Sequence, residues 1–217
     1  AVLRALSVVS TLSIIFIRDY QRFFKATGIR GRLLLPVLYL TIVIISFAGS
    51  GFFKELNEAD MRSDVLASVR AIASGINPDR IKQLSFTADD KDNPAFIRVR
   101  KQMRAWGNFS GLKSIYTMKM VNGKLFFGPE SIDETSPMAS PPGTEYLSPD
   151  RAFINAWISG ESGVTGPYTD EYGSFVSGYA PVFDRMTGQV LMLVGVDYDS
   201  GQWAAESAHA GILVFIP

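Results

Sequence analysis

The sequence predicts an α+β fold: a long N-terminal helix packed on an antiparallel sheet of about five strands, flanked by apolar membrane helices. Three observations carry it. Residues 33–53 (Leu33 to Phe53) are twenty-one residues without a charge. Apolar residues recur every three to four positions from Met61 to Ile76. After Gly111 the period changes to two, punctuated by the turn dipeptides Asn122-Gly123 and Thr187-Gly188.

The charge-free run comes first in the chain. As a helix rising about 1.5 Å per residue it spans roughly 30 Å, enough for a bilayer core. Pro36 lies near its start, where a missing N–H is tolerated best. The preceding residues 18–32 carry five basic residues against one acid, Asp19, which marks that side as cytoplasmic. The sequence therefore divides into 1–32, an apolar segment and basic cytoplasmic linker; 33–53, a transmembrane helix; 54–203, an extracytoplasmic domain; and 210–217, the start of a second transmembrane helix. The apolar stretch 5–17 reads equally as the tail of an earlier span or as an interfacial helix. The apolar ending at 210–217 reads as part of a longer protein, located at the cell membrane.

Bulk composition is less informative. The zero net charge of the 217 residues is a cancellation. Six basic residues stand before Lys54, and 54–203 holds fifteen Lys/Arg against nineteen Asp/Glu. A mildly acidic domain does not suit nucleic acid, which needs a basic stripe to meet phosphates. Without cysteine there are no disulfides, thiolate metal sites or Cys nucleophiles.

In the outer domain, Met61, Val65, Val69, Ile72 and Ile76 define a long amphipathic helix over 54–76. Asn77-Pro78 caps a short helix over 78–84, and Asn93-Pro94 caps another over 94–107, with Phe96, Val99, Met103 and Trp106 on one face. Thr87–Asp92 between them is a loop. Ser114–Val121 and Lys124–Gly128 form a hairpin through Asn122-Gly123. An irregular segment follows over 129–148, then a helix from Ser148-Pro149 to Gly160. Ser174–Phe183 and Gln189–Asp197 form the last hairpin. If Phe183 faces Gln189, then Val176, Gly178, Ala180, Val182, Val190, Met192, Val194 and Val196 share an apolar core face. The opposite face shows Phe175, Ser177, Tyr179, Leu193, Gly195 and Asp197, rings mixed with hydrogen-bonding groups, as a pocket floor does. A two-residue slip in register preserves this division and a one-residue slip destroys it. Tyr116 and Met118 share one face of their strand, Thr117 and Lys119 the other, and either face suits a pocket.

Gly166-Pro167-Tyr168-Thr169-Asp170, Ser177-Gly178-Tyr179-Ala180-Pro181-Val182-Phe183-Asp184, Gly188 and Val194-Gly195-Val196-Asp197 together resemble the Cache (PAS-like, periplasmic) sensor domains of prokaryotic transmembrane receptors. Histidine kinases, chemoreceptors and diguanylate cyclases carry such domains. The resemblance covers about 54–203 and implies a single Cache module in a signal-transduction receptor, binding a small organic molecule and acting as a homodimer. By residue it implies ligand contacts from Asp170 and Asp197, acids that in amine- and amino-acid-binding relatives meet the ligand's ammonium. Family members binding amino acids also carry an Arg-x-Trp cluster between the positions of Phe127 and Tyr168. This chain has Pro141-Pro142-Gly143-Thr144-Glu145-Tyr146 there, which leaves the ligand class open, with a positive group favoured.

The candidate ligand-binding set is thus Asp197, Asp170, Tyr179, Tyr168, Ser177, Tyr116 and Met118. Four have a structural alternative: Asp197 as a strand-end cap, Asp170 as a turn residue, Tyr168 and Tyr179 as packing. Trp157 reads as core for its helix, and Trp203 as an interfacial residue ahead of the second span. His209, the only histidine, has no acid–nucleophile partner nearby in sequence, and no phosphate-binding loop appears. No enzyme, cofactor or metal site is expected. The alternative function is a ligand-free Cache module used for dimerisation or protein docking.

Overall fold

The computed structural model describes residues 29–110 and 112–213. They divide into two compact units, one over 60–203 and one formed by the residues before and after it.

Helix α1 (Ile29–Ser74) is continuous over 46 residues. The expected span 33–53 lies in its first half, where most side chains fall outside the described residues. Among the described residues no helix is long and apolar enough to cross a membrane. The apolar stretch 5–17, the basic linker up to residue 28, and the side chains of 209–217 also lie outside them. In the smaller unit Asn57 Nδ2 donates to the carbonyls of Glu206 and Ser207 on α5 (Ser200–Leu213), at 3.3 and 3.4 Å.

The larger unit is built on one antiparallel sheet. Its strands are β1 (Ser114–Val121), β2 (Lys124–Glu130), β3 (Gly163–Asp170), β4 (Gly173–Phe183) and β5 (Val190–Asp199), in the order β2-β1-β5-β4-β3. The five strands match the expected count. β3 had no alternation to announce it, because Gly163, Gly166 and Pro167 interrupt the pattern and a bulge breaks its ladder to β4 between Thr165 and Tyr168.

On one face, α1 buries Val65, Val69 and Ile72, with Ile76 just beyond its end, and α3 (Pro94–Ser110) buries Phe96, Val99 and Met103, against Val176, Ala180, Val182, Met192, Val194 and Val196 of the sheet. The predicted spacings are those faces. Asn77 caps the four-residue α2 (Pro78–Ile81), accepting from Asp79 N at 3.0 Å, and Asn93 Oδ1 accepts from Ala95 N at 2.9 Å. Thr87–Asp92 is not plain loop: Ala88–Asp92 forms a 3-10 turn, and buried Asp90 accepts from Ser85 N and Phe86 N. Trp203 is a second correction. It is 5% exposed and packs edge-on against Tyr198, with the Arg62 guanidinium over its ring. It belongs to the core because α5 begins at Ser200 and turns this residue back onto the sheet.

The opposite face carries a second cluster, in which Tyr116, Met118, Phe127 and Leu193 pack against Tyr146, Phe153 and Ala156. Phe153 and Ala156 come from α4 (Arg151–Ser159), with Trp157 partly buried beside them. Its N-cap is Asp150, accepting from Ala152 N at 2.9 Å, rather than Ser148-Pro149, and Gly160 ends it at φ 74°. The segment before α4 covers the free edge of β2: Gly143 N and Phe127 N exchange bonds with Phe127 O and Thr144 O, and Tyr146 N donates to Leu125 O.

The last hairpin refines the predicted register. Phe183 pairs with Val190, one residue from expectation, and a bulge at Leu191 brings Val182 opposite Met192, two residues from it. From Met192 onward the predicted faces hold. Before the bulge they invert, so Leu191 joins the helix-side core and Val190 the other cluster.

Candidate functional site

β5 places Asp197 between Ser114 of β1 and Ser177 of β4, its cross-strand partners on either side. Facing residues of neighbouring strands point the same way, so both hydroxyls reach its carboxylate. Ser177 Oγ donates to Oδ1 at 2.6 Å, Tyr116 OH to Oδ1 at 2.9 Å, and Ser114 Oγ to Oδ2 at 2.8 Å. With its proton committed to Asp197, Ser177 accepts from Tyr168 OH at 2.9 Å. Tyr116 lies flat across β5 because Gly195 opposite it has no side chain; a Cβ there would come within 2.4 Å of the ring. Asp197 is 8% exposed, and burial raises its pKa to about 6 against the pull of the three hydroxyls. Burial also drives Tyr116, Tyr146 and Tyr168 upward, keeping them neutral donors.

Beside this cage opens a small cavity of about 30 Å³, partly open to solvent. Its walls are Ser114, Tyr116, Phe127, Glu130, Ile132, Met138, Ser140, Tyr146, Asp170, Tyr172 and Asp197. Three are carboxylic acids and none is a base. Asp170 ends β3: its Oδ1 accepts from the turn amides of Tyr172 (2.8 Å) and Gly173 (3.1 Å), and its Oδ2 from Tyr146 OH at 2.5 Å. Asp170 is therefore a turn residue and a cavity residue at once. Glu130, 5% exposed, accepts from Ser140 N at 2.8 Å, and burial raises its pKa to about 7 despite Arg100 and Arg104 nearby. Phe127, Tyr146 and Tyr172 form an aromatic wall with ring centroids 5.0–6.3 Å apart.

The seven sequence-predicted residues thus divide by place. Asp197, Asp170 and Tyr116 line the cavity. Ser177 and Tyr168 stand one and two hydrogen bonds behind it. Met118 is buried in the cluster beneath, and Tyr179 packs on Phe153 at 5.6 Å; neither lines the wall. Sequence reasoning missed Glu130, Ser114, Ser140, Tyr146 and Tyr172. β2 reads as ending at Gly128 before Pro129, but a bulge between Met118 and Tyr116 carries the pairing on to Glu130. Tyr146 is in the Pro-Pro-Gly-Thr-Glu-Tyr segment that stands in for the basic cluster, which was the available signal. Among the described residues no group of three or more His, Asp or Glu side chains is close enough to hold a metal ion.

No protein-family model and no curated protein sequence matches the chain. Its structure is similar to the ligand-binding domain of the Campylobacter jejuni chemoreceptor Tlp3 in complex with L-valine: TM-score 0.53, 14% identity, covering 79% of this chain and 65% of that one. It is likewise similar to the sensory domain of Tlp3 (CcmL), at TM-score 0.55 and 13% identity over 79% of this chain and 66% of that one. The same domain with isoleucine bound gives a TM-score of 0.51 at 14% identity. This chain spans about 65% of the length of those solved chains. At these identities the likeness speaks for the fold, which is that of a chemoreceptor sensory domain, as the Cache resemblance implies.

Proposed function

We propose that residues 54–203 are the extracytoplasmic ligand-sensing domain of a transmembrane signalling receptor, binding a small organic molecule that carries a positive group. The observation that carries this is the acid-lined cavity on the sheet face opposite α1, with Asp197 held in its cage of three hydroxyls. An ammonium there makes charge-assisted hydrogen bonds in a partly desolvated site, where they are strongest. The Tlp3 structures hold the amino acids valine and isoleucine. An amino acid also brings a carboxylate, and this wall offers it no Lys, Arg or His. A cation without a carboxylate suits the site better.

Binding must favour one of two conformations to signal. The same strand that bears Asp197 ends at Asp199, which accepts from Gly201 N (2.9 Å) and Gln202 N (3.1 Å) at the start of α5 and pairs with Lys113 at 3.0 Å. A shift of the β5 end is thus delivered directly to the first turn of α5. The span at 33–53, a homodimeric receptor and a cytoplasmic output module complete the proposal.

Thermal unfolding of the purified chain with panels of amines, amino acids, organic acids and sugars tests it. A ligand at a hundred times its Kd stabilises by about 2.7 kcal/mol, so small amines are expected to raise Tm, and Asp197→Asn to abolish the rise. No shift with any compound defeats the ligand reading and leaves a module for dimerisation or docking.

A further inference from the structure

We infer that Glu130 is a second anionic pole of the cavity and that the ligand carries two separated cationic groups, as a short α,ω-diamine does. The inference rests on the cation reading above and adds to it a residue, a geometry and a ligand class.

Glu130 is 95% removed from solvent yet borders the cavity. Its Oε1 accepts from Ser140 N, while Oε2 accepts no hydrogen bond from the described residues. Oε2 is not sealed away from solvent; facing the cavity without a protein donor, it is open to a charge-assisted hydrogen bond from a ligand cation. The nearest arginines do not: Arg100 donates to Ile132 O at 3.2 Å and pairs with Glu134, and Arg104 pairs with Asp133 at 2.8 Å. Both attract Glu130 from the α3 side without forming an ion pair with it. Asp197, by contrast, has three donors of its own and lies elsewhere on the same face.

Register sets the separation. Glu130 faces Tyr116, which faces Gly195, and Asp197 is two residues further along β5. Two strand spacings across and two residues along put the Cα atoms of Glu130 and Asp197 roughly 12 Å apart. Both side chains line the cavity, and the two carboxylates share no hydrogen-bond partner. A single ammonium cannot serve both; an ammonium at each end of a short chain can. Phe127, Tyr146 and Tyr172 supply the apolar wall for the methylenes between.

Isothermal titration of the whole purified chain at pH 8 with 1,4-diaminobutane and with n-butylamine tests this. Wild type is expected to bind the diamine at least tenfold more tightly. Glu130→Gln, which keeps the acceptor for Ser140 N, should bring the diamine to the level of the monoamine. In wild type the diamine advantage should shrink as pH falls from 8 to 6, as Glu130 takes up its proton against the pull of Arg100 and Arg104 and beside Asp170, Tyr172 and Asp197. That wild-type measurement stands even if the variant fails to fold. Equal affinity for both amines, unaffected by Glu130→Gln or pH, overturns the second pole and leaves the cation reading intact. No heat from either amine overturns the cation reading itself, and this inference with it.

Discussion

At the scale of single residues, Asp197 and Glu130 are held in conditions that oppose their own charge. Burial lifts Asp197 from 3.8 to about 6 and Glu130 from 4.5 to about 7. Each shift is worth about 3 kcal/mol by linkage. The native state binds the protons more tightly, so their contribution is full below pH ~4 and lost as pH rises through the native values. Urea unfolding of the ligand-free chain is expected to show stability declining between pH ~4 and ~7 from these two groups. Asp197→Asn removes the charge but keeps an acceptor for the hydroxyl cage, so it should flatten the lower part of that decline. At pH 7 it should unfold no more easily than wild type, as expected for a residue kept for binding rather than stability. A variant less stable by several kcal/mol at pH 7 would make Asp197 a structural residue. Asp197 was legible in the sequence because it ends an alternating strand in a familiar string. Glu130 was not, because Pro129 reads as a strand stop and only a bulge carries the ladder past it.

At the scale of elements, alternation told which face of the last hairpin meets the helices, and it held from Met192 to Asp197. It failed at Val190 and Leu191, since a bulge adds a residue that no side-chain pattern announces. Two glycines on this sheet are close-approach positions. Gly195 admits the Tyr116 ring, and Gly178 admits α1: a Cβ on Gly178 would meet Val65 Cγ1 at 2.6 Å and Val196 Cγ2 at 3.0 Å. Gly178→Val is therefore expected to destabilise the domain by about 1–3 kcal/mol through overpacking. Chemical unfolding measures it, and an unchanged midpoint would mean that α1 does not press on the sheet there. Helix caps were legible where Asn preceded Pro, at Asn77 and Asn93. At α4 the expected start at Ser148-Pro149 gives way to Asp150, whose carboxylate also accepts from Thr165 Oγ1 at 3.0 Å, a contact made only in the fold.

At the scale of the whole molecule, the topology proposal yields a direct experiment. The chain has no cysteine, so single cysteines can be introduced at will. Met186 is 88% exposed in the β4–β5 turn, and a cysteine there should react with a membrane-impermeant maleimide in intact cells. A cysteine at Lys25, in the basic block before the span, should react only after the membrane is opened. Labelling of the second but not the first would reverse the orientation and remove the sensor from its outer compartment.

The sequence alone determined what depends on local periodicity: the charge-free run, the buried stripes of α1 and α3, the Asn-Gly hairpin, and the apolar face of the last strands. These follow from the repeat of helix and strand geometry, which each segment carries within itself. The tertiary structure decided the strand order β2-β1-β5-β4-β3, the bulges, the burial of Trp203, and above all the cavity. Its walls come from β1, β2, β5, the segment before α4 and the β3–β4 turn, and its acids stand far apart in sequence at 130, 170 and 197. Only the folded sheet brings them to one face, and burial there gives Glu130 and Asp197 the raised affinity for protons, and on our proposal for cations, that the site would use.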